Sequence, residues 1–343
     1  DGILYALSLD GKSITSFPSK GLYKANVSCE GADGKWLYDD WKLAIENITG
    51  DVSCDIKFET ITKTYFNDYI TGLAGTTQGT EQVVNENGYR HEGKNPNNYV
   101  WFNNEYWRII GVFDSASHGQ SGKNLVKIIR ADVLDGLAWH KSNTNDWTAA
   151  SLNSLLNGAY YNAQDGTSSG YCYGYSTTAT ANCDYTKKGI QSGYRSMIAE
   201  VTWYLGGYSS ASATTESFYG YERGTTVYSG RPTTTTGYIG LMYPSDYGYS
   251  VLSSSCARTT NLGSYNTATC AGQSWLYGKG YEWTITPFSS SSNYVFFLNF
   301  GGDLSYISNA NRGNGGRPVL YLDASVYKID GEGTLDKPYI IGM

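Results

Sequence analysis

Six cysteines fall as three sequence-local pairs: Cys29 with Cys54, Cys172 with Cys183, and Cys256 with Cys270. Six cysteines allow fifteen pairings. Each local pair flanks a polar, turn-rich loop that a disulfide would tie down, so local pairing is the expected arrangement. Each closed loop would contribute about 2–4 kcal/mol on the chain-entropy account. No pair has C-x-x-C spacing, so neither metal binding nor thiol redox chemistry is indicated. The alternative, six free thiols in a cytosolic chain, fits neither the even count nor the composition.

That composition is poor in charge. Charged residues make up 16% of the chain, against a usual value of about 25%. Tyrosines number 32, more than the 25 lysines and arginines together, and the net charge is −6. Nucleic acid and anionic membranes attract basic patches, so neither is an expected partner. A surface of Tyr, Ser, Thr, Gly and Asn suits the extracellular space, where hydroxyls and amides supply solubility. No apolar run approaches the roughly 18 residues of a membrane span. The chain opens at Asp1 without an apolar leader, and no C-terminal anchor signal is visible; a secreted protein would have lost its leader.

Residues 1–58 read as a small β domain. Residues 4–9 and 12–16 flank Asp10-Gly11 as a hairpin, with further strands expected at 21–29 and 52–58. Residues 59–88 read as a connecting helix and linker. The helix is expected over 60–74, with Ile61, Tyr65, Phe66, Tyr69, Ile70 and Leu73 on one face. Residues 89–343 form the larger unit. Strand, Asn103-Asn104 turn and strand are expected over 99–113, with another strand at 125–130. One helix carries Leu152, Leu155 and Leu156 and ends at Gly158. A second is expected over 192–205, where Tyr194, Met197, Ile198, Val201, Tyr204 and Leu205 make a stripe. Short strands follow at 238–243, 281–286, 294–300, 304–307 and 318–322, and a last hairpin at 326–330 and 339–341. Two helices among many short strands and long loops imply an α+β fold.

Residues 289–316 are almost entirely Ser, Asn, Gly and aromatics, with only Asp303 and Arg312 charged. Tyr and Phe give large contact area at low rotamer cost, and Ser, Asn and Gly give adaptable hydrogen bonding; antibody-type binding surfaces use that mixture. Alternating Leu and Val positions provide a strand scaffold. The expected contact residues are Tyr294, Phe296, Asn299, Asp303, Tyr306, Asn309, Asn311 and Asn314. Alternate strand positions must face inward, so some of these aromatics belong to the core.

The order of elements in 89–323 resembles a C-type-lectin-like fold, with two helices, a loop-rich region and a terminal antiparallel sheet. The segments W-F-N-N-E-Y-W-R-I-I-G-V-F (101–113), E-W-T-I-T-P-F (282–288) and G-G-R-P-V-L-Y-L (315–322) resemble an uncharacterised family of Gram-positive bacterial surface proteins. The C-terminal segment is also similar to the variable region of diversity-generating retroelement proteins, which display changeable ligand-binding residues. The resemblance implies a C-type-lectin-like domain over 89–343 and a recognition or adhesion role, and it carries no enzymatic activity. The E-P-N or Q-P-D loop and the W-N-D triplet of calcium-dependent lectins are missing, since Asn145-Asp146-Trp147 has the wrong order. The reactive cysteines of formylglycine-generating enzymes are missing too.

Nothing in the residues themselves marks an enzyme. The three histidines, His91, His118 and His140, sit in no H-E-x-x-H frame; His118 reads as solvated and His140 as half-buried. There is no G-x-S-x-G elbow. Gly11-Lys12-Ser13 is not a P-loop, because Ala6 stands where the first glycine is required. Asp39, Asp40, Asp132, Asp135, Asp246 and Glu282 are scattered, whereas a glycosidase needs two facing carboxylates. Asp330-Gly331-Glu332-Gly333 with Asp336 lacks the ligand count of a calcium loop and reads as a hairpin turn. The sequons at Asn26 and Asn47 are accidental in a bacterial chain. No cofactor and no metal are expected. The sequence thus suggests a secreted bacterial surface protein that binds a glycan or protein on another surface. The alternative is a structural subunit that self-associates into a filament or surface layer.

Overall fold

The computed structural model describes residues 3–75, 77–78 and 81–343, without the side chains of Thr77, Gln78, Glu81, Gln82 and Asp135. Asp1, the Asp135 carboxylate and linker positions 76, 79 and 80 therefore lie outside the described residues.

Turn chemistry sets the first sheet. Asp10 and Gly11 both take left-handed backbone angles, the requirement of a two-residue hairpin turn whose twist matches its strands. They join Leu4–Leu9 to Lys12–Ile14. The Asp10 carboxylate accepts hydrogen bonds from the Thr60 amide and hydroxyl, at 2.8 and 2.7 Å. The sheet order is Lys12–Ile14, Leu4–Leu9, Ser53–Thr60, Tyr23–Glu30, with Leu4–Leu9 parallel to Ser53–Thr60. Cys29 and Cys54 stand directly opposite one another in register and are disulfide-bonded. A second hairpin, Asp33–Leu37 with Lys42–Glu46, brings Trp36 onto Phe58 and Trp41. Leu7, Val52, Ile56 and Phe58 complete this small core.

The second core begins at Phe66 and runs to Ile341. Its main sheet follows the order Ile239–Gly240, Val319–Tyr321, Leu125–Arg130, Glu105–Phe113, Tyr99–Phe102, Tyr339–Gly342, Tyr327–Asp330, Thr64–Tyr65. Leu125–Arg130 is buried throughout, as expected of a strand covered on both faces. Asn103 and Asn104 are both left-handed and close the tight hairpin there. A separate five-stranded sheet, here the outer sheet, has the order Leu134–Ala138, Gly313–Gly316, Glu282–Pro287, Tyr294–Leu298, Leu304–Asn309. Cys172–Cys183 and Cys256–Cys270 staple loops of this larger unit. The two units meet where Lys24 pairs with Asp330 at 3.0 Å, the Tyr194 hydroxyl donates to Asp39, and Lys35 lies over Trp101.

The expected α+β, C-type-lectin-like architecture is not what forms. Strand takes 37% of the residues and helix 15%, so the chain is mostly β. No described α-helix exceeds the eight residues of Thr215–Glu222. The helix expected over 192–205 is instead a 3-10 segment, Ser192–Met197, followed by the strand Val201–Tyr204. Val201 and Trp203 are buried while Thr202 and Tyr204 are half-buried. That two-residue alternation, close behind a short turn, imitates a helical stripe. The helix expected over 60–74 shortens to Phe66–Gly72, since β-branched Thr62 and Thr64 favour the extended entry that pairs Thr64–Tyr65 with Tyr327–Asp330. The leucine helix does not stop at Gly158. Ser151–Leu155 passes into a π turn, Leu156–Tyr160, with Leu152, Leu155 and Leu156 all buried.

One buried titratable group gives a pH prediction. His91 lies in the main sheet's strand Tyr89–His91, and burial, with the Arg108 charge adding to it, drives its imidazole from the ordinary 6.5 down to about 3. The folded value is depressed, so the stability is present above pH 6.5 and lost as pH falls toward 3. Burial pushes Glu222 up from 4.5 to about 7, which acts in the opposite direction over that window. The test is therefore the difference between variants. Against the wild type, His91→Leu is expected to lose about 3 kcal/mol less between pH 7 and pH 4 in urea unfolding. An unchanged difference would mean that His91 does not govern acid sensitivity.

Candidate functional site

The strands Tyr294–Leu298 and Leu304–Asn309 pair antiparallel, with Phe297 opposite Ser305 and Leu298 opposite Leu304. Neighbouring side chains on a strand point to opposite faces, and adjacent phenylalanines divide accordingly. Phe296 faces one side, where its ring meets Phe218 at 5.2 Å and Phe288 at 5.9 Å. Tyr306 stacks flat on Phe288 at 4.3 Å in the same layer, and Tyr294 joins it. Phe297 faces the other way, toward Tyr281 and Trp283.

That second face of the outer sheet is concave and open. Its hollow, about 720 Å³, is lined by Tyr175, Tyr281, Phe297, Ile307, Arg312 and Asn314, among others. Ile307 is 72% exposed, Tyr175 56% and Tyr281 54%. Tyr175 arrives on the hairpin Tyr173–Tyr175 with Thr178–Ala179, inside the loop closed by Cys172–Cys183. The hairpin lies so close to Gly313 that a Cβ there would collide with the Gly174 carbonyl, which is why that floor position is glycine. Beneath the floor, the Trp283 indole donates to the Leu137 carbonyl at 2.8 Å. No carboxylate lines the hollow among the described residues, and Arg312 is its one cation.

Of the eight contact residues expected from sequence, only Asn314 lines this hollow, with its amide 3.4 Å from the Ser308 hydroxyl. Phe296 is fully buried, and Tyr294 and Tyr306 belong to the opposite aromatic layer. Asn299 and Asp303 close the Gly301-Gly302 turn by backbone and side-chain bonds. Asn309 accepts from the Asn293 amide, and the Asn311 carbonyl accepts from the Ser176 amide. Tyr175, Tyr281, Phe297, Ile307, Ser308 and Arg312 were not anticipated. The parity of 297 and 307 against 296 and 306 was the available signal, but alternation does not say which face is covered.

No protein-family model, curated protein or solved structure matches this chain.

Two of the resembling segments do meet in the fold. Arg317, from G-G-R-P, is buried and grips Glu282, from E-W-T-I-T-P-F, through Nε at 2.5 Å and Nη2 at 3.0 Å. Burial pushes the Glu282 carboxyl up and the guanidinium opposes it. The pair joins the outer sheet to the strand Val319–Tyr321 of the main sheet. Several other polar residues singled out in the sequence are held in structural bonds. His118, expected to be solvated, is buried and bonded to the Phe113 carbonyl at 3.1 Å. The His140 Nδ1 accepts from the Ser151 amide. Asp330 pairs with Lys24 and Glu332 with Lys337. Among the described residues no three His, Cys, Asp or Glu groups gather to hold a metal, and no helix is long and apolar enough to cross a membrane. The three disulfides accord with an oxidising, extracellular setting.

Proposed function

We propose that the chain is an extracellular bacterial surface protein with a non-catalytic recognition role, and that the concave face of its outer sheet takes a saccharide chain. The observation behind this is the exposed cluster of Tyr175, Tyr281 and Ile307 around a shallow hollow. Contiguous exposed apolar surface with a polar rim marks an interaction site. The hollow is too open to enclose a small molecule, and its rim offers Asn314, Ser308 and Arg312 rather than a strong field. An extended, hydroxyl-rich ligand with apolar ring faces suits those groups: tyrosine rings cover its apolar faces and amides meet its hydroxyls. The test is a glycan array followed by titration of the best hit. Tyr281→Ala and Ile307→Asp are each expected to weaken binding by about tenfold or more. Silence across the array, with a protein partner captured through the same two residues, would replace the saccharide by a polypeptide.

A second reading, a filament or layer subunit, rests on a different observation. The strand Lys12–Ile14 covers only Leu7–Leu9 of its neighbour, so the edge of Leu4, Tyr5 and Ala6 is unpaired among the described residues. Leu4 there is 72% exposed, and Ile3 and Tyr5 are exposed beside it. An open apolar edge invites a strand from another chain. Negative-stain microscopy with mass photometry separates the two readings: regular filaments that Leu4→Lys disperses favour the subunit, and monomers at high concentration exclude it.

A further inference from the structure

Behind the main sheet lies a charged cluster that takes no part in either surface. Lys127 sits mid-strand in Leu125–Arg130, and Asp246 sits in the first turn of the helix Pro244–Tyr249. Both are almost completely buried, and the Lys127 Nζ is 2.5 Å from Asp246 Oδ2. The Tyr243 amide donates to the same oxygen at 2.9 Å, and Arg90 Nη1 pairs with Oδ1 at 3.1 Å. Aromatic rings wall the amine: Tyr243 at 4.4 Å, Phe113 and Tyr321 at 5.6 Å, and Trp203 at 5.8 Å.

We propose that Lys127 and Asp246 are joined by an intramolecular isopeptide bond, formed by the folded chain itself. The geometry supplies what an acyl condensation needs. The nucleophile is in contact with the carboxyl group, one C–O bond from the acyl carbon. Fixing two reactants in this way replaces an encounter by an intramolecular step. Water is excluded, so the ion pair loses its solvation and transfer of a proton from ammonium to carboxylate costs less than it would in water. The resulting amine attacks Cγ. A Cγ–Nζ bond forms, a Cγ–O bond breaks, and the oxygen leaves with two protons as water. Nothing is oxidised or reduced. Arg90 on Oδ1 and the Tyr243 amide on Oδ2 are placed to hold the negative charge that develops on the carboxyl oxygens.

The surroundings agree with this chemistry. Burial draws the Lys127 amine down to about 8, within reach of its neutral, nucleophilic form, even though Asp246 opposes the shift. Burial also pushes the Asp246 carboxyl up, but Lys127 and Arg90 together hold it below its ordinary range. Proton transfer inside the contact is therefore the step that must come first. Glu222, which accepts from the amide and hydroxyl of neighbouring Ser245, is pushed up to about 7 by burial. Glu222 also pairs with Arg223 at 3.3 Å, and the Asp246 charge acts on it across the same enclosure. The bond would tie the central strand of the main sheet to a helix 119 residues away, with no need of a reducible link.

The experiment is intact-mass spectrometry of the purified wild-type chain after disulfide reduction. The expected mass is about 18 Da, one water, below the value calculated from the sequence. Proteolysis should then yield a branched peptide that contains both Lys127 and Asp246. Lys127→Arg should restore the full calculated mass. A wild-type chain at full mass, still so after prolonged incubation at pH 8 and with Lys127 and Asp246 in separate linear peptides, overturns the proposal. A deficit of the same size that maps to any other residue overturns it as well. The deciding mass is that of the wild-type protein, so a variant that fails to fold does not obscure it, and it is independent of what the concave face binds.

Discussion

Arg317→Met is expected to lower folding stability by about 3–5 kcal/mol, because it strands a buried carboxylate. Arg317 and Glu282 are each almost fully enclosed, and Arg317 Nη2 also donates to the Leu276 carbonyl at 2.5 Å. Removing the guanidinium leaves Glu282 with no counter-charge in a medium that solvates it poorly. The carboxyl must then protonate or open the seam to water. The pH dependence follows from that. A Glu282 value raised further in the folded variant means stability present at low pH and lost as pH rises through that value. The variant's deficit should therefore shrink as pH falls toward the ordinary carboxylate range. Glu282→Leu added to Arg317→Met should recover most of the loss, since replacing both buried charges by apolar groups is often neutral. Urea unfolding of the two single variants and the double variant checks all three statements. A single-variant loss below about 1 kcal/mol would mean that the seam is already wet, as for exposed ion pairs.

The same residues show how far the sequence could be read. Hairpins at Asp10-Gly11 and Asn103-Asn104 were legible because left-handed turn positions carry their own residue chemistry. The three disulfides were legible because each pair is local. The architecture was not. Three residues separate Val201–Tyr204 from the 3-10 turn Ser192–Met197, and turn plus strand reproduces the helical spacing of apolar residues over a short window. Gly313, Tyr175 and Phe297 become neighbours only through sheet pairing and a stapled hairpin brought from far upstream. No local pattern encodes that meeting. Glu282 and Arg317 were each visible, one among the scattered acids and one inside a resembling motif. Their pairing depends on a parallel contact, Glu282 with Gly315, that sequence alone does not announce.

Phe296→Ala is expected to destabilise the fold by about 3–5 kcal/mol, whereas Ile307→Ala should stay within about 0.5 kcal/mol and Tyr281→Ala within about 1 kcal/mol of the wild type. Phe296 is enclosed by Phe218, Phe288 and Tyr306, and its truncation loses transfer energy and leaves a cavity. Tyr306→Ala should fall between these limits, because the ring is half-buried yet stacked on Phe288. Ile307, one position along the same strand, projects into solvent. Stability and position parity thus separate a covered aromatic layer from a free one, before any ligand is known. Thermal and urea unfolding of the four variants provide the measurement. If Ile307→Ala destabilised the protein as strongly as Phe296→Ala, the concave face would be covered in solution and closed to a saccharide. If Ile307→Ala is silent, the exposed side chain contributes nothing to the fold and the concave face stays free, as the proposed saccharide site requires.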